Sequence, residues 1–254
     1  MGTRGLAVLA MATAVSAQGQ QTEEILVTGV VPLGATQELG KVPYPVQALN
    51  SADLLDMQML GIADALEQTF ASISLNDAQN NPLQPDLQYR GFTASPLLGL
   101  GQGLAVYQNG IRINEPLGDA VNWDLLPQSA IGSLTLSGGA NPLFGLNSLG
   151  GSLVIDMKNG FDNPGHRVEY SGGSFGRHLA TIESGGSSGR LAWYVNADVF
   201  REDGWRDQSD SEATNFYASL GFRGNATEVN LNFQYGESDL IGNGAAPVEL
   251  LALR

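Results

Sequence analysis

The sequence predicts an α+β unit followed by antiparallel strands of the transmembrane β-barrel type. Residues 46–160 alternate between short helical and short strand patterns, whereas residues 161–254 contain strand patterns only. In that second region apolar and polar residues alternate with a period of two. The chain is also poor in charge, since 15% of its residues are charged against about 25% in an ordinary soluble domain. This combination is typical of strands with one face in lipid.

The composition excludes several classes of function. The 254 residues include 12 basic and 26 acidic ones, and this net charge of −14 argues against nucleic-acid binding, which requires a basic surface. The chain has no cysteine and only two histidines, His166 and His178. Thiolate metal sites and cysteine nucleophiles are therefore excluded.

Residues 1–17 have the pattern of a secretory signal peptide. Arg4 precedes an apolar stretch from Leu6 to Val15, and small residues lead to a predicted cleavage site after Ala17. This stretch of ten residues is too short for a transmembrane helix, which needs roughly 20. The protein is therefore predicted to be exported.

Residues 18–45 are interpreted as a tail and linker. Glu23–Gly29 is an isolated β-prone heptapeptide within the tail. Prolines at positions 32, 43 and 45 then mark a linker that ends where the folded unit begins.

Residues 46–160 are predicted to form the α+β unit. Ser51 is a candidate N-cap of a first helix, and a second helix is expected from Ile62 because apolar residues recur at i, i+4 and i+8. The Asn109–Gly110 pair predicts a type I′ hairpin turn between strands at 104–108 and 111–113. Further strands are expected at 131–136 and 153–155.

Residues 161–254 are predicted to contribute five to six strands. Three segments, 190–201, 215–223 and 227–235, alternate strictly between apolar and polar residues. Tight turns and one longer polar loop, 203–213, separate them. The pattern favours a barrel in lipid over a soluble antiparallel sandwich, which also alternates.

Two glycine-rich motifs are candidate sites of chemistry. Gly172–Gly176 fits the G-x-S-x-G pattern of hydrolases, with Ser174 as nucleophile, but that motif requires a helix after the turn and none is predicted here. Gly99–Gly103 lacks the spacing of a dinucleotide site. We therefore expect no enzyme, no catalytic residue, no metal site and no cofactor.

The chain resembles the N-terminal third of a TonB-dependent outer-membrane receptor. Glu23–Gly29 resembles the TonB box. Several segments resemble the plug domain of these receptors, in the family's order: 62–68, 87–92, 106–114, 123–127 and 141–151. The strands after residue 161 resemble the start of the receptor barrel. The resemblance covers residues 23 to about 240.

The sequence departs from this family in charge and in length. Residues 132–138 lack the acidic residues and arginine that usually help to hold the plug against the barrel, so the usual ionic latch is not expected. A barrel that encloses a plug has about 22 strands, and residues 161–254 supply five or six. The chain is therefore interpreted as a fragment with an incomplete barrel.

The resemblance implies a receptor in the bacterial outer membrane that imports a scarce solute of siderophore, vitamin or carbohydrate type. Its partners would be outer-membrane lipid, the solute, and TonB with its inner-membrane energising complex. The residues expected to bind TonB are Glu23, Glu24, Ile25, Leu26, Val27 and Thr28. The residues expected to bind the solute, on plug loops, are Asn76, Asp77, Gln79, Thr93, Ser95, Glu115, Asp119, Asn122 and Trp123.

Two alternatives remain open at this point. One is a secreted soluble β-rich protein that binds or adheres, and the other is a fragment of a receptor without function. A soluble protein would stay in solution without detergent, whereas strands with apolar residues facing lipid would not.

Overall fold

The computed structural model describes residues 26–27, 37–38, 42–57, 61–77 and 79–242. The predicted signal peptide at 1–17 lies outside these residues. The described chain forms an α+β unit at 46–158, here called the plug unit, and an antiparallel sheet at 165–240, here called the wall. In the described part of the chain, no helix is long and apolar enough to span a membrane.

Among its described residues, the plug unit contains two short α-helices and eight strands, with three single 3₁₀ turns at Trp123–Leu125, Gln128–Ala130 and Pro142–Phe144. The helices are α1 (Ser51–Met57) and α2 (Ile62–Thr69). A two-stranded pair in the tail precedes them, β1 (Leu26–Val27) with β2 (Gln37–Glu38). The strands of the plug unit are β3 (Val46–Asn50), β4 (Ile73–Asn76), β5 (Asp86–Tyr89), β6 (Phe92–Ala94), β7 (Leu104–Gln108), β8 (Ile111–Arg112), β9 (Ile131–Gly138) and β10 (Gly151–Met157).

A five-stranded mixed sheet with the order β3-β9-β10-β7-β8 forms the centre of the plug unit. β10 runs parallel to β7, and the other neighbours are antiparallel. β4, β5 and β6 form a separate antiparallel sheet. Both sheets and α2 share one core, in which Leu66, Leu104 and Leu134 have no exposed surface. Tyr194 and Tyr217 of the wall belong to the same core, so the plug unit packs directly against the wall.

The hairpin between β7 and β8 is confirmed. Asn109 and Gly110 have φ angles of 47° and 78°, and a type I′ turn requires positive values at both positions. The side chain of Asn109 also accepts a hydrogen bond from the backbone N–H of Met157 at 2.9 Å, which ties the turn to the end of β10.

The first helix is capped by Asn50, not by Ser51 as the sequence suggested. The Asn50 Oδ1 atom accepts hydrogen bonds from the backbone N–H groups of Ala52 and Asp53 at 2.9 and 3.1 Å. The Asp53 carboxylate in turn accepts the backbone N–H of Asn50 at 3.0 Å. This reciprocal pair satisfies N–H groups that the first turn of a helix leaves without a partner.

The wall consists of five antiparallel strands in sequential order within the described residues. Tight turns at 189–190 and 224–227 lie at one end, here called the turn end, and longer connections at 173–177 and 203–210 lie at the other, here called the loop end. The strands are β11 (Gly165–Gly172), β12 (His178–Ser188), β13 (Leu191–Glu202), β14 (Ser211–Arg223) and β15 (Glu228–Leu240).

Two wall strands are longer than the alternation predicts. β14 begins at Ser211 instead of 215, and β15 continues to Leu240 instead of 235. The added residues are largely polar yet continue the backbone pairing, from Thr214 opposite Glu237 to Ser211 opposite Leu240. Backbone pairing therefore continues where the alternation of apolar and polar residues has ended, so this alternation underestimates the length of the strands.

Replacing Leu66 by alanine is expected to lower the free energy of unfolding by about 2–5 kcal/mol, because it leaves a cavity in a close-packed core. Urea unfolding followed by tryptophan fluorescence measures the change. Leu117→Ala, on an exposed side chain, is the matched control and should shift stability by less than about 0.5 kcal/mol. Equal effects of the two substitutions would contradict the assigned core.

Candidate functional site

The two faces of the wall differ in chemistry. On β13–β15, side chains that point away from the plug unit are largely apolar between the turn end and the last third of the strands, and the large apolar ones are exposed by 36–67%. This apolar band comprises Leu191, Trp193, Val195, Val199, Phe216, Leu220, Phe222, Val229, Leu231, Phe233 and Tyr235. Arg201 and Glu212, paired at 3.0 Å, lie beyond it toward the loop end.

The length of the apolar band fits the hydrocarbon layer of an outer membrane. Leu191 to Val199 spans eight residue steps, which gives about 27 Å along the strand at about 3.4 Å per residue. A tilt of about 40° reduces this to about 21 Å, close to the roughly 25 Å band of outer-membrane barrels. A large apolar face of this kind is also rare on soluble monomers.

The inner face of the wall binds the plug unit through polar side chains. Ser129 donates a hydrogen bond from its hydroxyl to the buried carboxylate of Asp198 at 2.5 Å. Asn196 donates from its side chain to the same hydroxyl at 2.7 Å. Ser129 lies just before β9, so this contact holds one end of the central sheet against β13.

A buried ion pair forms the second contact. Lys158, directly after β10, lies 2.8 Å from the carboxylate of Glu183 on β12, and the two side chains are exposed by only 4% and 11%. The Tyr194 hydroxyl donates to the same carboxylate at 2.5 Å, and Arg167 lies 4.0 Å from it. Buried charges require such pairing, because desolvation of a lone charge is costly.

A third contact involves Asp124 near the loop end. Its carboxylate accepts hydrogen bonds from Gln84 at 3.0 Å and from Ser238 at 2.5 Å. Its backbone carbonyl accepts a bond from the side chain of Asn215 at 3.1 Å. One plug residue therefore joins β14, β15 and a neighbouring plug loop.

These contacts explain how the plug unit is held without charges in residues 132–138. β9 is an interior strand of the plug sheet, between β3 and β10, and Leu134 and Leu136 on it belong to the core. The contacts come instead from Ser129, just before β9, and Lys158, just after β10. Sequence reasoning missed both, although Lys158 is one of only two lysines and directly follows an apolar strand.

Three loops of the plug unit meet near the loop end of the wall. Asn81 in the first loop donates a hydrogen bond to the first residue of β14 at 2.8 Å. Ser95 in the second loop donates from its hydroxyl to the carboxylate of Asp86. The backbone N–H of Val121 in the third loop donates to the carbonyl of Ser95 at 2.9 Å. Together they form the outer loop cluster, residues 76–86, 93–101 and 114–123.

The predicted solute contacts lie on these three loops and differ in exposure. Three of them are exposed, namely Asn76, Asp77 and Glu115. Four are half-buried, namely Gln79, Thr93, Asp119 and Asn122. Two are buried, namely Ser95 and Trp123.

The expectation for Ser95 and Trp123 requires correction. Trp123 is packed in the core of the plug unit with 1% of its surface exposed, so it is not an aromatic platform for a solute. Ser95 has no exposed surface, and its hydroxyl also accepts the backbone N–H of Leu97 at 3.0 Å. Both side chains hold the loops in place from within.

The segment expected to bind TonB is described only in part. Leu26 and Val27 form β1 and pair with Glu38 and Gln37 respectively. Glu23, Glu24, Ile25 and Thr28 lie outside the described residues.

A cavity of about 380 Å³ lies between the plug unit and β11–β14. Its lining includes polar side chains, among them Lys158, Arg167 and Asp198, and apolar ones, among them Leu54 and Leu126. The plug unit and the wall are therefore not in contact at this place.

The G-x-S-x-G sequence is a turn between two strands. Residues 173–177 connect β11 to β12, and the backbone N–H of Gly173 donates to the carbonyl of Arg177 at 2.9 Å. A nucleophile elbow requires a strand followed by a helix. The geometry therefore does not support a hydrolase that uses Ser174.

The two connections at the loop end are held together. The backbone N–H of Asp203 donates to the carbonyl of Phe175 at 2.9 Å, and Arg177 pairs with Glu202 at 2.7 Å. Arg177 also favours the charged form of Asp64 in α2. These contacts fix the connections at 173–177 and 203–210 to each other at the loop end of the wall.

The connection from the plug unit to the wall passes very close to the strand backbone. A Cβ atom on Gly160 would lie 2.0 Å from the carbonyl oxygen of Trp193 and 2.5 Å from that of Gly186. A Cβ atom on Gly185 would lie 2.4 Å from the carbonyl oxygen of Asn163. Only glycine fits at these positions.

Replacing Lys158 by methionine is expected to lower the free energy of unfolding by about 3–5 kcal/mol, because Glu183 then stays buried without its cation. Urea unfolding in detergent measures the loss. Arg223→Met is the matched control, since Arg223 pairs with Glu228 on the surface and such pairs contribute about 0–1 kcal/mol. Adding Glu183→Gln to Lys158→Met should restore most of the loss. A loss no larger than that of the control would contradict the buried contact.

Asp64 makes the stability depend on pH. Burial, followed by the charges of Glu67 and Asp77, raises the pKa of Asp64 above its ordinary value of 3.8, and Arg177 opposes this shift. The folded state then binds the proton more tightly than the unfolded state, so stability is lost as the pH rises from 3.8 through the raised pKa. Asp64→Asn should therefore gain stability relative to the wild type between acidic and neutral pH. Urea unfolding at several pH values tests this, and a gap that stays constant with pH would contradict it.

Comparisons with known proteins agree with the geometry. Residues 38–152 match the family model described as the TonB-dependent receptor plug domain. The structure of BauA, the ferric preacinetobactin receptor of Acinetobacter baumannii, matches at 18% identity and a TM-score of 0.67, over 84% of this chain and 31% of that one. The pyoverdine outer membrane receptor FpvA of Pseudomonas aeruginosa matches at 18% identity and a TM-score of 0.64, over 80% and 29%. The ferric-catecholate import receptor Fiu of E. coli matches at 17% identity and a TM-score of 0.64, over 83% and 29%.

The chain spans about three tenths of the length of these structures. A comparison with curated proteins finds no significant match. The matched family and structures are receptors and not enzymes. Residues 38–152 therefore match the TonB-dependent receptor plug domain, and the plug unit together with the antiparallel strands after it has the fold of the matched structures.

Proposed function

We propose that this chain is part of a bacterial outer-membrane receptor that binds a scarce solute and imports it with energy delivered by TonB. The observation that carries the proposal is a plug unit seated on the inner face of strands whose outer face is apolar. A barrel of such strands around the plug is closed to a solute until the plug moves.

Moving the plug unit away from the wall, so that a solute can pass through the barrel, requires free energy. The plug unit is held by the Lys158–Glu183 pair, by the bond from Ser129 to Asp198, and by shared core side chains. The outer membrane has no nucleotide supply, so the energy has to come from the inner membrane through a protein partner. A mechanical link between the tail and the plug unit fits this need.

The segment Glu23–Thr28 is the proposed link. An extended β-prone segment binds a partner by adding a strand to the edge of its sheet, and main-chain hydrogen bonds then transmit a pull. Leu26 and Val27 already have extended backbone in β1, which supports this mode of binding. TonB would bind the free edge of β1 or take the place of β2.

The solute is proposed to bind on the outer loop cluster. The matched structures are described as receptors for ferric preacinetobactin, pyoverdine and ferric catecholates. A small organic solute of siderophore, vitamin or carbohydrate type is therefore proposed here. The contacts that stay accessible are Asn76, Asp77, Gln79, Thr93, Glu115, Asp119 and Asn122.

The substitution Ile25→Pro in the full-length receptor is expected to abolish solute uptake and leave binding at the cell surface unchanged. Proline has no backbone N–H and cannot continue the strand pairing that carries the pull. The solute is chosen as one on which growth depends only when the receptor is present. Whole cells are then incubated with labelled solute, and the label bound at the surface and the label taken up are measured separately.

Gln20→Pro is the matched control, because it places the same residue in the tail outside the proposed segment. It should leave both binding and uptake intact. Normal uptake by the Ile25→Pro receptor would rule out energy transfer through this segment.

A further inference from the structure

The outward apolar surface narrows on the first two strands of the wall. On β11 and β12 the outward apolar side chains are Val168, Tyr170, Ala180 and Ile182, all of them exposed. They lie in the half of each strand that is nearer the loop end. On β13–β15, in contrast, the apolar band begins at the turn end.

Polar side chains replace the apolar ones near the turn end of β11 and β12. His166, Ser184 and Ser188 point outward there, and Nδ1 of His166 lies 2.9 Å from the Ser184 hydroxyl oxygen. These three side chains are here called the polar step. On the neighbouring strand β13, Leu191 lies opposite Ser188 and Val195 lies opposite Ser184. Two adjacent strands therefore present different chemistry at the same level of the wall.

The difference in height is on the side of the turn end. Toward the loop end the two strands share one border, because His178 on β12 lies opposite Arg201 on β13. From Arg201 to Leu191 is ten residue steps, about 34 Å along the strand and about 26 Å across the membrane at a tilt of about 40°. From His178 to Ser184 is six steps, about 20 Å along the strand and about 16 Å across the membrane. The apolar surface is therefore about 10 Å shorter on β12 than on β13.

Trp193 on β13 marks the border between the two surfaces. Its indole lies over Gly186 of β12, because a Cβ atom on Gly186 would lie 2.5 Å from the ring. Gly186 is the outward position between Ser184 and Ser188. Tryptophan is enriched where hydrocarbon meets lipid headgroups, since its ring is apolar and its N–H group is polar. The position of this ring fits a headgroup border beside the polar step.

Closure of the barrel leaves the polar step on the outside. Within the described residues β11 pairs with β12 alone, so further strands would add at the other edge of β11. Pairing at an edge does not change the face to which a side chain points. The plug unit lies against the opposite face, where Lys158 contacts Glu183. The polar step therefore faces the surroundings of the barrel whatever strands follow.

We infer that headgroups of inner-leaflet lipids bind the polar step, so that the hydrocarbon layer is locally thinner beside β11 and β12. Short turns of outer-membrane barrels face the periplasm, which places the step at the inner leaflet. A bilayer adapts to a short apolar surface by thinning. The imidazole of His166 and the serine hydroxyls supply hydrogen-bonding groups for the phosphate and ester oxygens of the headgroups. The inference rests on the proposed function only for the location in the outer membrane.

Four single-cysteine variants test the inference, because this sequence has no cysteine of its own. They are made in the full-length receptor, freed of other cysteines and placed in vesicles of phosphatidylethanolamine and phosphatidylglycerol. Ser184→Cys and Val195→Cys, which lie opposite each other, each carry a nitroxide spin label. Ala180→Cys and Val199→Cys are the matched controls, since they lie opposite each other on the same two strands and both belong to the apolar surface. Electron paramagnetic resonance measures how often each label collides with oxygen, which concentrates in hydrocarbon, and with a water-soluble nickel chelate.

The ratio of nickel to oxygen collisions is expected to be at least about fivefold higher at position 184 than at position 195, because headgroups admit water and hydrocarbon excludes it. The labels at 180 and 199 should give equal ratios that favour oxygen. Adding His166→Leu and Ser188→Leu to the Ser184→Cys receptor extends the apolar surface and should lower the ratio at 184 at least twofold.

Two outcomes would overturn the inference alone. Equal ratios at 184 and 195, both favouring oxygen, would mean that lipid chains cover the polar step. A label at 184 that neither reagent reaches would mean that protein covers it. Failure of the proposed membrane location has a different signature, since the labels at 180, 195 and 199 would then all collide mainly with the nickel chelate. Failure of the proposed import would show as normal uptake by the Ile25→Pro receptor.

Discussion

Successive side chains of a β-strand point to opposite faces, and this constraint determines the rest of the structure. In the wall, one set of alternate residues forms the apolar band and the other set faces the plug unit. The plug unit therefore meets mainly hydrogen-bonding side chains and cannot be held by apolar contact alone. The plug unit contributes Ser129, Asp124 and Lys158, each of which bonds a polar side chain of the wall.

The contact between the plug unit and the wall depends on charged side chains that are shielded from water. The Lys158–Glu183 pair is nearly inaccessible to water, so a substitution that removes one charge leaves the other buried without a partner, at a high cost in free energy. When the plug unit and the wall separate, water solvates both charges, and neither then carries this cost. The proposed function requires the plug unit to leave the wall and return, and polar contacts of this kind suit that movement better than a continuous apolar interface would.

The sequence was a good guide to features that depend on neighbouring residues. The Asn109–Gly110 turn and the order of helices and strands follow from local preferences, and the alternation identifies the wall strands. It failed where distant residues decide the outcome. Trp123 lies at the end of a predicted loop, between Asn122 and Asp124, and only the tertiary fold shows that its ring enters the core. The partner of Lys158 lies 25 residues away, so no local pattern could indicate it.

The glycines at 160 and 185 have a consequence for how the sequence can diverge. The connection and the wall strands approach so closely that a side chain at either position would lift the connection from the wall. Lys158 is only two residues from Gly160, so the displacement would be passed to its ion pair. Mutational drift at the two glycines and at the ion pair is therefore coupled, and homologues that lose one of these glycines are expected to have replaced the lysine contact as well.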